Sequence, residues 1–340
     1  MSSLTGPTSV TWDITYACPL RCTHCYSESG RRPSRQLGHD EMLRVADAIV
    51  ALGPESVEFA GGEPLLVRGI FEVAGRLKSA GITVNLYTGG WTLTRPMAEA
   101  ATEVFSRITV SVDGATAEVH DRIRGRAGSY ERAMRALTLL EELAPAREVT
   151  FGIDCVAMRG NLHQLDEFCA AVAPRFPSLG FLIFGAVIPS GLASRPGFED
   201  ELLTQDELRT LTDPEYVARL RALAPPTVQV MTTDNFMLQM NPGFIERYGF
   251  PMAQVEPDGE MRAMPIYEGT VGSLLEEDPM VLWERAIARW RDPFVVETLS
   301  SIRCMRDWAE ATRRIDLHFG SGEVADRIRR RPAYLAVAPA

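Results

Sequence analysis

The chain has 340 residues, of which 46% are hydrophobic and 24% charged, so it can bury a large α/β core with an appendage and does not resemble a disordered protein. A formal net charge of −10 disfavours nucleic acid as a partner. Residues 1–10 lack a signal-peptide pattern and no apolar run reaches the roughly 18 residues of a membrane span, so we expect a cytoplasmic protein with reduced cysteines and no membrane partner.

Strand-like and helix-like segments alternate over the first half of the chain. The β-branched and aromatic runs predict six strands: Ser9–Thr15, Ser56–Ala60, Ile82–Tyr87, Ile108–Val112, Val149–Met158 and Gly180–Phe184. Helical periodicity predicts the segments between them: Asp40–Leu52, Ile70–Ser79, Pro96–Val104, Ser129–Leu143 and Leu162–Ala173. This order indicates βαβ units in a parallel sheet, with ligands expected at the carboxyl ends of the strands.

The pattern changes after the sixth strand. Residues 185–199 look like a loop, and Thr204–Leu223 is predicted to be helical up to a Pro-Pro break. Val255–Pro265 predicts a β-hairpin with Asp-Gly at its turn, followed by helices at Pro279–Arg291 and Pro293–Thr312. The tail after Arg327 is expected to fray. These shifts divide the chain into a core at 1–200, an extension at 201–322 and a tail at 323–340.

Three of the six cysteines lie within eight residues, directly after the first predicted strand. Cys18, Cys22 and Cys25 form a CxxxCxxC loop, and the next cysteine is Cys155. A cubane iron–sulfur cluster usually has four thiolate ligands, so three predict one iron that stays open to a small chelating ligand. A zinc site that uses His24, or a chance group of cysteines, is the alternative; structural zinc commonly takes two pairs of ligands.

The cysteine loop, followed by the aromatic Tyr26, resembles the signature of the radical S-adenosylmethionine (SAM) superfamily over roughly residues 8–185. The resemblance implies an α/β fold, a partial (β/α)6 TIM-like barrel with a smaller α+β C-terminal extension. It also implies one [4Fe–4S] cluster whose open iron chelates SAM. An electron from the cluster then cleaves SAM to a 5′-deoxyadenosyl radical that abstracts a substrate hydrogen. A flavodoxin or ferredoxin is the electron donor that the resemblance implies.

The second predicted strand ends in Gly61-Gly62-Glu63-Pro64, which matches the GGEP motif of the same superfamily. Glycines let a backbone approach a ligand closely, and the exposed amide and carbonyl groups can pair with the ammonium of the cofactor. Proline fixes the turn. By itself the motif is also typical of a structural turn.

Further cofactor contacts are expected at the ends of later strands. The resemblance implies that Ser111 or Asp113 binds the ribose hydroxyls, although Asp113 can equally be a turn cap. It implies that Arg124 meets the cofactor carboxylate, for which a bidentate guanidinium is suited, although a surface role is the alternative. Thr88 is expected to contact adenosine or substrate. Tyr26 is expected to pack beside the cluster and to offer its backbone to adenine.

The extension faintly resembles the SPASM extension of many radical SAM enzymes, through Val255–Gly259, Pro265 and Leu282-Trp283. Arg262 opens the sequence that stands where a Cys-Pro is expected, so we predict no auxiliary cluster. In relatives an auxiliary cluster often accepts an electron from the substrate radical. Without one, a redox-neutral outcome is favoured: epimerisation, decarboxylation, rearrangement or C–C bond formation. Cys304 is then a candidate hydrogen-atom donor, and its alternative is a small buried apolar residue.

The cysteines begin at residue 18, with no leader-peptide-binding domain of about 80 residues before them. We therefore expect a small-molecule substrate of the sugar, nucleoside or aminoglycoside type, as in antibiotic and other natural-product biosynthesis. The alternative is a peptide maturase or epimerase that works with a separate recognition protein. A third hypothesis, a non-enzymatic scaffold or zinc module, conflicts with the intact cysteine triad and GGEP sequence.

Overall fold

A computed structural model describes residues 6–33, 35–241 and 252–335 of the chain. Ten strands form one sheet in the order β10-β9-β8-β1-β2-β3-β4-β5-β6-β7. The strands are β1 Ser9–Thr15, β2 Ser56–Gly61, β3 Thr83–Thr88, β4 Arg107–Ser111, β5 Thr150–Ala157, β6 Phe181–Ala186, β7 Gln229–Thr233, β8 Met252–Val255, β9 Glu260–Arg262 and β10 Thr270–Ser273.

Strands β1 to β7 pair in parallel, each with its neighbour in the chain. The helices that connect and follow them are α1 His39–Leu52, α2 Ile70–Ser79, α3 Arg95–Val104, α4 Ala117–Arg124, α5 Ser129–Leu143, α6 Gln205–Thr212 and α7 Pro214–Leu223. Residues 162–175 form an irregular succession of short helical turns in place of the single helix predicted there. This is the predicted α/β architecture of a partial TIM-type barrel, and β7 is a strand that the sequence analysis missed.

The two faces of the barrel strands differ in polarity because side chains alternate along a strand. Trp12, Phe59 and Val110 point to the outer face, where they are fully buried in the core under the helices. Tyr87 and Asp154 point to the inner face, and both remain partly exposed. The helices therefore bury one face of the sheet, and a polar interior is left inside the barrel.

The extension continues the same sheet. Strand β8 pairs in parallel with β1, and β9 pairs antiparallel with β8 through Gln254–Arg262 and Val255–Met261, which confirms the predicted hairpin. Three helices follow: α8 Pro279–Trp290, α9 Pro293–Ser300 and α10 Met305–Phe319. The single helix predicted over 293–312 is wrong, because the Asp307 carboxylate accepts a hydrogen bond from the Arg303 amide (3.0 Å) and a new helix begins there.

The tail is ordered where the structure describes it, so its predicted fraying is wrong for residues 328–335. Helix α11, Gly322–Arg329, is followed by an extended segment whose Tyr334 amide donates to the Pro196 carbonyl oxygen (2.8 Å). The Tyr334 ring packs edge-on against Phe198, with centroids 5.0 Å apart. Residues 336–340 of the predicted tail lie outside the described part. Within the described ranges, no helix has the length and apolarity needed to cross a membrane.

Candidate active site

The cysteine loop follows β1 and is fixed by backbone hydrogen bonds to the end of α4. The Arg21 amide donates to the Arg124 carbonyl oxygen (3.0 Å), and the Thr23 amide donates to that of Ile123 (2.9 Å). The loop closes on itself where the Gly30 amide donates to the Tyr16 carbonyl oxygen (2.7 Å). These contacts hold the three predicted cysteine ligands at the carboxyl end of the barrel, as expected for a ligand site of parallel strands.

The loop cysteines bind metal as thiolates, so each thiol must lose its proton on binding. Cys22 is buried, whereas Cys18 and Cys25 are partly exposed. Burial raises the pKa of Cys18 to about 12 and that of Cys22 to about 11, so the free thiols hold their protons at neutral pH. The Arg124 guanidinium lies 3.7 Å from the Cys22 sulfur (Nη1 to Sγ) and stabilises the thiolate once a metal displaces the proton.

Within the part of the chain that the structure describes, no three His, Cys, Asp or Glu side chains converge closely enough to hold a single metal ion. The ligands of a cubane bind different irons, so they need not converge on one point. The donor set of three cysteines on one loop fits a three-ligand cubane.

The other three cysteines lie outside the loop, each on a different element of the fold. Cys155 on β5 and Cys169 in the irregular segment 162–175 are fully buried in the core. Cys304 is partly exposed and is the residue immediately before α10. Its thiol interacts with the carboxylate of Asp307, a side chain that is itself partly exposed.

The two glycines of the GGEP sequence are required by the approach of one backbone to another. The Gly62 amide donates to the Thr15 carbonyl oxygen at 2.6 Å, and a Cβ on Gly62 would lie 2.1 Å from the Ala17 carbonyl oxygen. Gly61 has a φ of 106°, in the region that favours glycine. The glycines thus bring the end of β2 against the first residues of the cysteine loop, so the close approach that they permit is to the protein's own backbone.

Glu63 connects the ends of β2 and β3. Its buried carboxylate accepts hydrogen bonds from the Thr88 hydroxyl (2.8 Å) and the Gly89 amide (3.0 Å). Burial raises the pKa of Glu63, and these hydrogen bonds oppose the shift. Pro64 begins the short helical turn that follows. The Thr88 hydroxyl is therefore hydrogen-bonded within the protein, to the Glu63 carboxylate.

Asp113 and Arg124 form a buried ion pair beside the cysteine loop. Arg124 Nε lies 2.6 Å from Asp113 Oδ2, but its N–H does not point at that oxygen, so the contact is charge pairing without an aligned hydrogen bond. Both side chains are buried, and the charge of Arg124 holds the pKa of Asp113 below its usual value against the opposing effect of burial. Asp113 Oδ1 accepts from the Val156 amide (2.9 Å). These partners differ from the ribose expected for Asp113.

Three further polar residues surround this pair, and of them only His24 was considered from the sequence, as a zinc ligand. His24 Nε2 lies 3.6 Å from Asp113 Oδ2, and burial lowers the pKa of His24 to about 4. His120 Nδ1 accepts from the Asp113 amide (3.2 Å). Asn161 donates to the Asp113 and Val156 carbonyl oxygens, both at 2.9 Å. These residues tie β4, β5 and the cysteine loop together, and the position of Asn161 shortly after β5 was the one signal in the sequence.

Tyr26 anchors the end of the loop inside the barrel. Its hydroxyl donates to Asp13 Oδ1 at 2.6 Å, and Asp13 is fully buried.

Ser111, at the end of β4, is partly exposed and pairs in register with Asp154 of β5. Burial raises the pKa of Asp154 to about 6. The polar interior of the barrel thus continues directly below the cysteine loop.

The comparisons with known proteins agree with this arrangement. The sequence profile described as the radical SAM superfamily matches residues 12–158. The mycofactocin maturase MftC of Mycolicibacterium smegmatis is 36% identical over 174 residues, which are 51% of this chain and 43% of the relative. An AdoMet-dependent heme synthase of Methanosarcina barkeri is 30% identical over 208 residues, which are 61% of this chain and 57% of the relative. The chain spans about half the length of these relatives.

Among solved structures, SuiB of Streptococcus suis, crystallised with the precursor peptide SuiA, superimposes with a TM-score of 0.64. The match covers 89% of this chain and 71% of SuiB at 14% sequence identity. At this identity the likeness concerns the fold alone. The superposition is longer than the profile match at residues 12–158, which make up less than half of the chain.

Proposed function

The chain belongs to the radical SAM superfamily of enzymes, which use a [4Fe–4S] cluster and SAM, and on that premise we propose that it initiates radical chemistry on a peptide substrate. The observation that carries the chemistry is the loop of Cys18, Cys22 and Cys25, held against the end of α4 with the Arg124 guanidinium beside the Cys22 sulfur. When bound, the cluster supplies the electron that cleaves SAM to methionine and a 5′-deoxyadenosyl radical.

Each group of residues then has a distinct task. We propose that the three cysteines hold the cluster and that backbone carbonyl groups of Gly61, Gly62 and Glu63 accept from the ammonium of SAM. Ser111, a partly exposed polar side chain at a strand end, is the better candidate for the ribose. Asp113 is buried and paired, so we propose that it positions Arg124 instead of touching the cofactor.

We propose that this cluster is the one cluster of the chain. The three cysteines outside the loop lie on β5, in the segment 162–175 and before α10, whereas an auxiliary cubane needs about four thiolates together. Arg262, which opens the sequence where the resemblance led us to expect a Cys-Pro, is buried and ion-paired with Glu256 (2.8 Å) and Glu268 (3.6 Å). Within these 340 residues, no second set of four cysteines can hold an electron-accepting cluster, which supports a redox-neutral outcome.

A peptide is a better-supported substrate than the sugar or nucleoside expected from the sequence. The relative with 36% identity is a maturase. The chain also shares its fold with SuiB, which binds a precursor peptide. We propose that the peptide inserts one side chain into the barrel interior near Tyr87 and Asp154, since both are partly exposed on its inner face. A separate recognition protein would present it.

A small-molecule substrate is the second candidate. It is favoured by the heme synthase, which is 30% identical over 61% of this chain, a longer alignment than that with the maturase. The two candidates differ in what must fill the barrel interior. A peptide leaves most of its length outside the barrel, whereas a small molecule is enclosed whole.

Anaerobic reconstitution tests the chemistry, with an expected content of about four irons per chain. Reduced protein should convert SAM to 5′-deoxyadenosine, and a variant with all three loop cysteines changed to Ala should do neither. Cys169→Ala, a change outside the loop, is the control and should keep its iron. About eight irons per chain would contradict the single-cluster proposal, and bound zinc without SAM cleavage would contradict the function.

Deuterium transfer tests the substrate class. Candidate substrates, labelled with deuterium, are incubated with the reduced enzyme and SAM, and label is sought in 5′-deoxyadenosine. We expect transfer from a peptide encoded beside the gene, in the presence of a recognition protein. Transfer from a porphyrin or sugar-type substrate without any peptide would support the second candidate instead.

A further inference from the structure

Four exposed arginines surround the outer surface of the cysteine loop: Arg21, Arg31, Arg126 and Arg132. We call these four residues, together with Trp91, the arginine patch. We propose that the arginine patch is the docking surface for an acidic electron-transfer protein that reduces the cluster. The proposal rests on the proposed function, because it assigns a partner to the same cysteine loop.

The guanidinium groups of two of these residues are bound to the loop that carries the cysteines. Arg21 Nη1 donates to the carbonyl oxygens of Cys18 (2.8 Å) and Leu20 (2.7 Å). Arg31 donates to the carbonyl oxygens of Arg21 (Nη2, 2.6 Å) and Cys22 (Nη1, 3.4 Å). A protein seated on these side chains is therefore separated from two cluster ligands by a single layer of loop backbone.

The other two arginines extend the patch over the neighbouring loops. Arg126 Nη1 donates to the Pro19 carbonyl oxygen (2.7 Å), and its guanidinium lies over the Trp91 ring at 3.8 Å from the centroid. The guanidinium of Arg132 lies 5.1 Å from the same centroid. An aromatic ring in contact with guanidinium groups adds a rigid apolar contact to a charged surface.

The patch carries positive charge in a chain whose formal net charge is −10. Within the described ranges, none of the four arginines forms an ion pair with a carboxylate. The nearby Asp121 accepts from the Gly128 and Tyr130 amides (2.6 and 2.7 Å), and Glu131 is the exposed carboxylate next to Arg132. The molecule as a whole is strongly negative, yet the arginine patch beside the cysteine loop presents unpaired positive charge. This favours an acidic partner on the patch.

Charge complementarity of this kind fits a transient redox encounter. Such interfaces are small, and opposite charges accelerate association more than they increase final affinity. The partner must approach the cluster, deliver one electron and leave. Arginines that are already held by loop carbonyls are pre-organised for this role, since less side-chain freedom is lost on binding.

The test compares a protein donor with a small reductant on the loaded enzyme. The variant is Arg126→Glu with Arg132→Glu, and the matched control is Arg291→Glu, an exposed arginine at the end of α8. With reduced flavodoxin at low salt, SAM cleavage by the variant should fall about tenfold and lose most of its dependence on ionic strength. With reduced methyl viologen, the variant and the control should match the wild type within about twofold.

Two outcomes would overturn the proposal. An unchanged rate with flavodoxin would show that the patch is not the docking surface. An equal loss of turnover with both reductants would mean that the patch binds substrate or stabilises the loop. The iron content of the variant distinguishes these two roles, because only a destabilised loop loses iron. Calorimetric titration of oxidised flavodoxin onto each variant measures docking directly, so the proposal can be judged even if SAM cleavage itself fails.

Discussion

The carboxylate of Glu28, in the cysteine loop, accepts a hydrogen bond from the guanidinium of Arg331 at 2.6 Å, across 303 positions of the chain. Arg327 donates to the same oxygen at 3.1 Å. Both partners of the Glu28–Arg331 pair are buried, and Glu28 has a φ of 52°, in the left-handed region. The C-terminal segment thus holds the far end of the loop that carries the cluster ligands.

Removal of the Arg331 charge is expected to loosen that loop. In Arg331→Gln, the buried carboxylate of Glu28 keeps only Arg327, which should lower the apparent free energy of unfolding by roughly 1–3 kcal/mol. The cluster should also be lost several times faster to an iron chelator, as followed by its visible absorbance. The neighbouring exposed residue provides the control, Arg330→Gln, which should match the wild type. Equal rates for both variants would show that the pair does not hold the loop.

The arrangement of strands and helices could be predicted because it depends on local periodicity. The alternation of apolar residues in Ser9–Thr15 and the spacing of the three cysteines are both short-range features. The Glu28–Arg331 pair could not be predicted, since it depends on where two segments meet after folding. Nothing in the tail sequence distinguishes an arginine that is buried against the loop from one that is solvated.

The roles of the site residues were less predictable than their positions. Asp113 and Asn161 stand at strand ends, as expected of ligand-binding residues, yet their polar groups bind the protein itself. A strand end brings a side chain to the site without saying which neighbour it meets. The same holds for Arg262, whose buried pairing with Glu256 was invisible in the sequence.

The stability of the protein should fall with rising pH because of Asp316. Burial raises the pKa of Asp316 to about 7, and the charge of Glu268 adds to the effect, while Arg331 and Arg262 oppose it. Between the ordinary value near 4 and about 7, the folded protein binds a proton that the unfolded chain releases. The free energy of unfolding therefore decreases as pH rises through this window and is level above it.

The variant Asp316→Asn should remove that dependence. It keeps the oxygen that accepts from the Glu268 amide (2.9 Å) and loses the buried charge. At about pH 8 the variant should be more stable than the wild type by roughly 1–3 kcal/mol, and near pH 4 the two should agree. Melting temperatures over this range provide the measurement. Asp326→Asn, at an exposed carboxylate, should leave the slope unchanged, and an equal slope in both variants would contradict the assignment.

The placement of Cys304 and its expected role as hydrogen-atom donor predict different effects of removing its thiol. The thiol interacts with Asp307 at the start of α10, and both side chains are partly exposed. From this placement we expect Cys304→Ala to keep product formation within about twofold of the wild type. A donor role predicts that 5′-deoxyadenosine still forms while product disappears. Quantifying both compounds in the same reaction decides between them, with Cys304→Ser as the variant closest in size.

Asp113 and Arg124 should behave as one unit toward both stability and SAM. Arg124→Met leaves the fully buried carboxylate of Asp113 without its main cation, at an expected cost of about 3 kcal/mol, and adding Asp113→Asn should recover most of it. If Asp113 acts through Arg124, each single variant and the double variant should lose SAM affinity by the same factor, about tenfold. Equilibrium binding of SAM to the loaded variants measures this, with Arg122→Met as the control. Full affinity in Asp113→Asn, together with a loss in Arg124→Met, would mean that Arg124 meets the cofactor without help from Asp113, as the family resemblance implied.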